Sequence, residues 1–309
     1  MSAFHLRPMR PDEAPIVAEL ICTSIRTWYD AAGRPGRFPG GPASCLLFPQ
    51  VYEALDPGCC VVAEDRATGR LAGSCFYHPR PLHVSLGIMN AHPDYFGQGV
   101  ARQLLQFVCD AADQQQKPLR LFSSAMNVDS FSLYNRAGFV PRELFQVMAI
   151  QVPAEGMPVN CEGASRVRAA RIEDVSRIVE LERDISGITR ETDYRHFIAN
   201  AAGIWHTSVI ENASGSLDGF LVSIAHPGST MLGPGVMRSA ADAAPLILDH
   251  LNHLRGRSPA CLIPASQGAL VQQLYRWGLR NTELSLFQCR GNAQPFRGVA
   301  MPTFMPETG

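Results

Sequence analysis

The chain has 309 residues, of which 46% are hydrophobic and 18% charged, and a formal net charge of −1. This length suits two ordinary domains, and the composition is that of a folded globular protein. Near-neutral charge with no Lys/Arg run removes the broad electrostatic basis for binding nucleic acid or a membrane surface, and no apolar run reaches the roughly 18 residues of a membrane span.

The chain opens with Met1–Arg10, which has Arg7 and Arg10 but no apolar core behind them, so no signal peptide is expected. Leu6-Arg7-Pro8-Met9-Arg10-Pro11-Asp12-Glu13-Ala14 reads as a short strand, an acidic turn and the start of a helix over about 12–30. A Gly/Pro-rich loop, Ala32–Ala43, and a short helix at Pro49–Leu55 follow. Val61–Glu64 and Leu71–His78 flank the turn Asp65–Gly69 as a hairpin, and His83–Asn90 is a further strand. Val100–Gln115 is an amphipathic helix with Leu104, Leu105, Val108 and Ala112 on one face. Arg120–Ser124 (strand), Ser130–Arg136 (helix) and Phe145–Gln151 (strand) complete the first half, giving an α/β pattern. Nine cysteines, none in a CxxC pair, with Cys22, Cys75 and Cys109 in apolar surroundings, read as reduced core residues. A cytoplasmic location is expected, and Asn212-Ala213-Ser214 reads as a chance glycosylation match.

An internal repeat divides the chain. Val167-Arg168-Ala169-Ala170-Arg171-Ile172-Glu173-Asp174-Val175 echoes the opening segment, and Leu274-Tyr275-Arg276-Trp277-Gly278-Leu279 echoes Leu133-Tyr134-Asn135-Arg136-Ala137-Gly138-Phe139. Between them, Val152–Pro158 has linker composition. The expected organisation is a first domain at 1–152, a linker at 153–165, a second domain at 166–292 and a tail at 293–309.

The segment with the most chemistry in it is Pro93-Asp94-Tyr95-Phe96-Gly97-Gln98-Gly99-Val100-Ala101-Arg102, joining a strand directly to a long helix. Gly97 and Gly99 let an anion approach the backbone without meeting a side chain. The helix behind them presents free N–H groups and the positive end of its dipole. A diphosphate is the natural occupant. The spacing lacks the Gly-Lys-Ser/Thr of a Walker loop and the Gly-x-Gly-x-x-Gly of a dinucleotide site.

Here the chain resembles the GNAT superfamily of acetyl-CoA-dependent N-acetyltransferases. Phe96-Gly97-Gln98-Gly99-Val100-Ala101 is similar to the family's Gln/Arg-x-x-Gly-x-Gly/Ala pyrophosphate motif, with Phe96 where Gln or Arg is usual. Met126–Phe139 resembles the family's Asn … Leu-Tyr-x-x-x-Gly-Phe ending. The resemblance implies two tandem domains, each with a mixed, mostly antiparallel sheet flanked by helices, and acetyl-CoA as cosubstrate without a metal. It implies that the backbone of Met89, Asn90 and Ala91 faces the pantetheine arm, with residues 96–102 around the diphosphate and Asn127 on the cofactor arm. It also implies that Tyr134 protonates the leaving thiolate, a role suited to a phenol of pKa about 10.

Amine acylation needs a base as well, and no acidic residue occurs between Leu71 and Pro93. His83 and His92 are the candidates, with Ser85 or Asn90 positioning a water. The second copy resembles the family less closely. Its expected phosphate region, Met231–Arg238 before a helix at Ala240–Leu254, contains Pro234, which removes an N–H. Leu274 falls at the position of Tyr134. Asp184–Arg190 reads as a solvated inter-helix loop that could instead line a cleft between the domains. His250 and His253 read as one exposed helix face, and Trp205 and Trp277 as core. The expectation is direct acetyl transfer to a primary amine of a small molecule or peptide, with an oligomer possible. The alternative is a non-catalytic acyl-CoA-binding sensor or interaction module.

Overall fold

Short β-branched runs and amphipathic helices sort into a single mixed sheet with helices on both faces. The computed structural model describes residues 2–302. The chain makes two similar passes. The first runs β1 (Phe4–Pro8), α1 (Ala14–Ala31), α2 (Pro42–Cys45), α3 (Leu47–Leu55), β2 (Cys60–Asp65), β3 (Leu71–Pro79) and β4 (Val84–Ala91). It continues through α4 (Val100–Gln114), β5 (Leu119–Ser124), α5 (Val128–Arg136) and β6 (Val140–Ala149). The second runs β7 (Val167–Ala169), α6 (Val175–Ser186), α7 (Glu191–Ala199), β8 (Trp205–Glu211), β9 (Leu217–His226) and β10 (Ser229–Met237). Then come α8 (Ala240–His253), β11 (Ala260–Pro264), α9 (Gly268–Arg276), β12 (Arg280–Arg290) and a short β13 (Val299–Met301).

The strand order is β1-β2-β3-β4-β5-β12-β6-β11-β10-β9-β8-β7, with β13 attached to β10. Only β4–β5 and β10–β11 are parallel among these pairs. Each pass gives its last strand to the other: β12 lies between β5 and β6, and β6 lies between β12 and β11. Three buried phenylalanines hold this exchange together on one face, with Phe122 of β5 packed at 4.9 Å from Phe145 of β6 and 5.3 Å from Phe287 of β12. Burying each such ring contributes about 1.5–3 kcal/mol. That face is covered by α1, α3, α6 and α7, whose apolar residues form one cluster spanning both passes. The opposite face is covered separately by α4 with Tyr134 of α5, and by α8 with α9.

The repeated opening segment folds the same way twice. Arg7 meets Glu13 and Glu64, both at 2.6 Å, and Arg168 meets Asp174 at 2.7 Å and Glu211 at 2.6 Å. In each pass a buried carboxylate of the turn thereby ties the first strand to the helix start.

Several expectations are corrected. β6 begins at Val140 rather than Phe145 because its pairing with β12 extends out to Val140–Cys289. Ser186, Ile188, Thr189 and Arg190 are buried rather than solvated, packed between the two passes. His250 is fully buried, with its ring nitrogens bonded to the hydroxyls of Ser208 at 2.8 Å and Ser223 at 2.7 Å. Trp205 and Trp277 are core residues, as expected. The tail segment carries β13.

Candidate active site

β4 and β5 run side by side only briefly. Val84 pairs with Leu119 and Ser85 with Arg120, and beyond that no further β4–β5 partners occur among the described residues. On its other side β4 carries one extra residue, because Leu86 opposes Tyr77 while Met89 opposes Cys75. This bulge turns the second half of the strand away from β5. The edge of Met89, Asn90 and Ala91 is therefore open to an extended ligand. Asn90 is buried; its Oδ1 accepts from the Ser74 hydroxyl at 3.1 Å, and its Nδ2 has no partner among the described residues.

The strand runs into the Gly97–Gly99 loop. Gly97 and Gly99 take φ of 77° and 82°, in the left-handed region, and a Cβ at either would meet nothing within 4 Å. The space above the loop is thus empty. Gly99 caps α4 without a side-chain hydrogen bond, so the first N–H groups of the helix have no side-chain acceptor there. Phe96, Gln98 and Arg102 are exposed around the loop, while Val100 is buried under it and Ala101 half-buried. Gly73 of β3 sets how close α4 comes, since a Cβ there would lie 2.6 Å from Val100 and 2.7 Å from the Asn90 carbonyl.

From β5 the chain turns into α5. Asn127 is the cap of this helix, its Oδ1 accepting from the Ser130 N–H at 3.0 Å. Tyr134 is buried in the α4-side cluster, its ring 5.8 Å from Phe139. The two histidines lie at opposite ends of β4. His92 directly follows Ala91, and its Nδ1 accepts from the Asp94 N–H at 3.2 Å. His83 precedes Val84 and is fully buried; burial and the nearby Arg120, Arg190 and Arg80 hold its pKa well below the usual histidine range. The 8 residues of β4 separate the two, a span of about 30 Å at roughly 3.3 Å per residue step. They cannot serve one site together.

One charged group near the open edge has no counterpart in the sequence-based expectations. Glu283 of β12 is buried and accepts from the Tyr29 hydroxyl of α1 at 2.9 Å, with Arg37 at 3.2 Å and Arg34 at 3.3 Å. Arg34 also donates to the Thr282 carbonyl. Burial is the main cause pushing the Tyr29 phenol above its ordinary range. The next residue, Leu284, accepts from the Ala125 N–H at 2.9 Å, which puts Glu283 beside the end of β5. The Gly/Pro-rich loop Ala32–Ala43 thus closes over β12. Only the strand exchange brings this pairing about, so sequence spacing carries no trace of it.

The corresponding place in the second pass is closed. β10 pairs with β11 only at Met231 and Leu232 and bulges before Gly235, repeating the β4 pattern. There, however, Gly235, Val236 and Met237 pair with Met301, Ala300 and Val299 of β13. These three β10 residues are the structural counterparts of Met89, Asn90 and Ala91. Pro234 lies in the strand rather than in a loop before α8, which corrects the expected phosphate region. The actual turn into α8 is capped by Ser239, whose Oγ accepts from the Asp242 N–H at 3.3 Å. At the opposite, C-terminal end of α8, His206 bonds Asp249 at 3.0 Å and stacks on His253 at 4.1 Å. His206, Asp249 and His250 offer ligand atoms within 4.8 Å of one another, but both ring nitrogens of His250 are already engaged by Ser208 and Ser223.

Comparison with known proteins places this architecture. Residues 56–141, which contain the bulged strand, the glycine loop and Tyr134, match the family described as the Acetyltransferase (GNAT) domain. Over its whole length the fold is similar to that of a protein described provisionally as an acetyltransferase from Pyrococcus horikoshii, with a TM-score of 0.75, 14% identity, and 99% of this chain and 96% of that one covered. A GCN5-related N-acetyltransferase from Sphaerobacter thermophilus superposes with a TM-score of 0.66 at 18% identity, covering 96% and 98%. A tandem GNAT protein from the clavulanic acid biosynthesis pathway does so with a TM-score of 0.61 at 14% identity, covering 94% and 100%. A curated relative, the UPF0157 protein YqkA of Bacillus subtilis, is 33% identical over 78 residues, a match that spans 25% of this chain and 22% of that protein. Residues 56–141 thus match a GNAT acetyltransferase domain, and the chain as a whole has the tandem GNAT fold.

Proposed function

We propose that the first lobe, residues 1–152, transfers an acetyl group from acetyl-CoA directly to a primary amine of a small molecule or peptide, and that the second lobe, residues 166–292, holds no cofactor. The observation that carries this reading is the contrast between two equivalent edges. The edge of Met89–Ala91 is open and ends in an uncapped glycine loop, whereas that of Gly235–Met237 is filled by β13 and ends in a Ser-capped helix.

The residues of the first lobe divide the work by position. The main chain of Met89–Ala91 would pair with the extended pantetheine arm, as a strand edge pairs with a peptide. The N–H groups at Gly97–Arg102 would hold the diphosphate, with Phe96 and Gln98 flanking it and Asn127 beside the arm. The acetyl thioester is the electrophile the cosubstrate supplies. Tyr134 would give its phenolic proton to the sulfur as the carbon–sulfur bond breaks. Of the two histidines, His92 adjoins the open edge and His83 lies at the strand's far end, so His92, with Asn90 ordering a water, is the favoured route for the amine proton. Tyr29, Arg37 and Glu283 would form the acceptor wall, where the carboxylate can meet an ammonium. No metal is invoked.

The test is CoA release measured over a panel of amines, together with acetyl-CoA titration of the full chain. Turnover with one acetyl-CoA bound per chain supports the proposal. Tight binding without turnover on any amine would make the protein a sensor instead.

A further inference from the structure

A cavity of about 170 Å³ lies where the first pass meets the second, between the β3–β4 turn and the end of α6. His83 and Arg120 enter it from the first lobe, Ser186 and Ile188 from the second and Gln294 from the segment after it, with Leu82 half-exposed at its edge.

Its charges do not balance. Each neighbouring buried cation has a carboxylate: Arg190 meets Glu182 at 2.6 Å, and Arg80 meets Asp56 at 2.5 Å and Asp193 at 2.8 Å. Arg120, only 4% exposed, has none among the described residues. Its guanidinium lies 4.5 Å from the Phe287 ring and donates through Nη1 to the Ser186 carbonyl at 3.3 Å, while Nε has no partner. Burial without a counter-ion lowers the Arg120 pKa to about 10. Beside it, both ring nitrogens of His83 also lack partners. Buried polar groups are nearly always satisfied, and a buried charge is costly without a partner. Two unsatisfied groups facing one cavity therefore point to a missing ligand, and the single uncompensated cation sets its charge at −1.

We propose that this cavity binds a small monocarboxylate, its oxygens held by Arg120 and an N–H of His83 and its short alkyl part set against Leu82 and Ile188. A phosphate dianion would overcompensate one guanidinium and would leave these apolar walls facing charge. The site is distinct from the acyl groove: Ser85, the partner of Arg120, precedes Met89 by four residues, about 13 Å of strand. It does not depend on the reaction proposed above. Because its walls come from both lobes, occupancy would brace their junction.

The experiment is fluorine NMR of trifluoroacetate with the full-length protein. Saturable line broadening is expected, displaced by acetate and by isobutyrate but not by isobutanol, and unaffected by saturating CoA. Arg120→Met keeps the contact with Phe287 and removes the charge; it should weaken binding at least tenfold while the circular dichroism spectrum stays that of the parent. Should that variant fail to fold, Leu82→Glu places a negative charge on an exposed position at the mouth and should weaken the probe severalfold. No saturable binding, displacement by CoA, or undiminished binding in a folded Arg120→Met or in Leu82→Glu would each overturn the proposal.

Discussion

Leu274 stands in the second lobe where Tyr134 stands in the first. The N–H of Leu279 donates to the Leu274 carbonyl at 3.1 Å, as the N–H of Phe139 donates to the Tyr134 carbonyl at 3.1 Å. Both side chains are buried, at 0% and 7% exposure, against the helix of their own lobe. The backbone of the helix ending is thus duplicated while the phenol is present once. The second lobe keeps the architecture but lacks that hydroxyl and has β13 along its strand edge, the two features on which the proposed division of labour rests.

Tyr134→Phe removes only the hydroxyl from a packed ring. The turnover number should fall by about 10²–10⁴, the usual contribution of a general acid, with acetyl-CoA affinity changed only a few-fold. Steady-state CoA release and calorimetric titration separate the two effects. Equal losses in affinity and rate would make Tyr134 a binding residue.

Gly99→Val tests the loop. At φ 82° a β-branched residue is strained, costing about 1–2 kcal/mol, and its side chain would project into the empty space above the helix start. Acetyl-CoA should bind at least tenfold more weakly. The loss of stability measured by urea unfolding should stay within that range, and unchanged affinity would remove the diphosphate from this loop.

Glu283→Gln tests the acceptor wall. The amine KM should rise, or the turnover number fall, by about tenfold or more, with acetyl-CoA binding unchanged, because the Glu283 side chain reaches Tyr29 of α1, on the face of the sheet opposite α4. A variant whose kinetics match the parent on every amine would confine Glu283 to bracing the loop through Arg34 and Arg37.

Glu13 should govern part of the acid stability. The hydrogen bond from Arg7 is the main cause holding its carboxyl at about 2, well below the ordinary glutamate value of 4.5. A carboxyl depressed in the folded state stabilises it above the unfolded pKa, and that contribution fades as pH falls from about 4.5 towards 2. Glu13→Gln should cost on the order of 2 kcal/mol at pH 7. Urea unfolding should show the gap between parent and variant narrowing below pH 4. A constant gap across that window would assign the loss to packing.

Met301→Ala removes the side chain that anchors β13 in the core of the second lobe. Met301 is 2% exposed, so truncation should cost about 2–5 kcal/mol. Acetyl-CoA stoichiometry should stay at one per chain, because the Ser239 cap and the missing phenol remain. Two sites per chain in the parent would refute the assignment of a single cofactor-competent lobe.

Much of the molecule is local in origin and was legible on that account. Gly97, Gly99 and Val100 specify a strand-to-helix turn because left-handed glycines and a buried first-turn residue act within a few residues of one another. Asn127 to Phe139 specify a capped helix and its ending for the same reason, and the echo of Leu6–Ala14 in Val167–Val175 revealed the duplication. The tertiary structure decided what depends on distant partners. The start of β6 at Val140 follows from pairing with Cys289, and the meeting of Tyr29 with Glu283 follows from β12 crossing into the first lobe. The burial of His250 comes from serines on β8 and β9, and the closing of the second groove from three residues near the chain's end. Periodicity reports a residue's neighbours along the chain, and none of these contacts is between such neighbours. From the sequence alone, then, came two similar lobes and the loop and phenol of one of them. Only the packed sheet determined which groove is open, where the two histidines lie, and that a lone guanidinium is enclosed between the lobes.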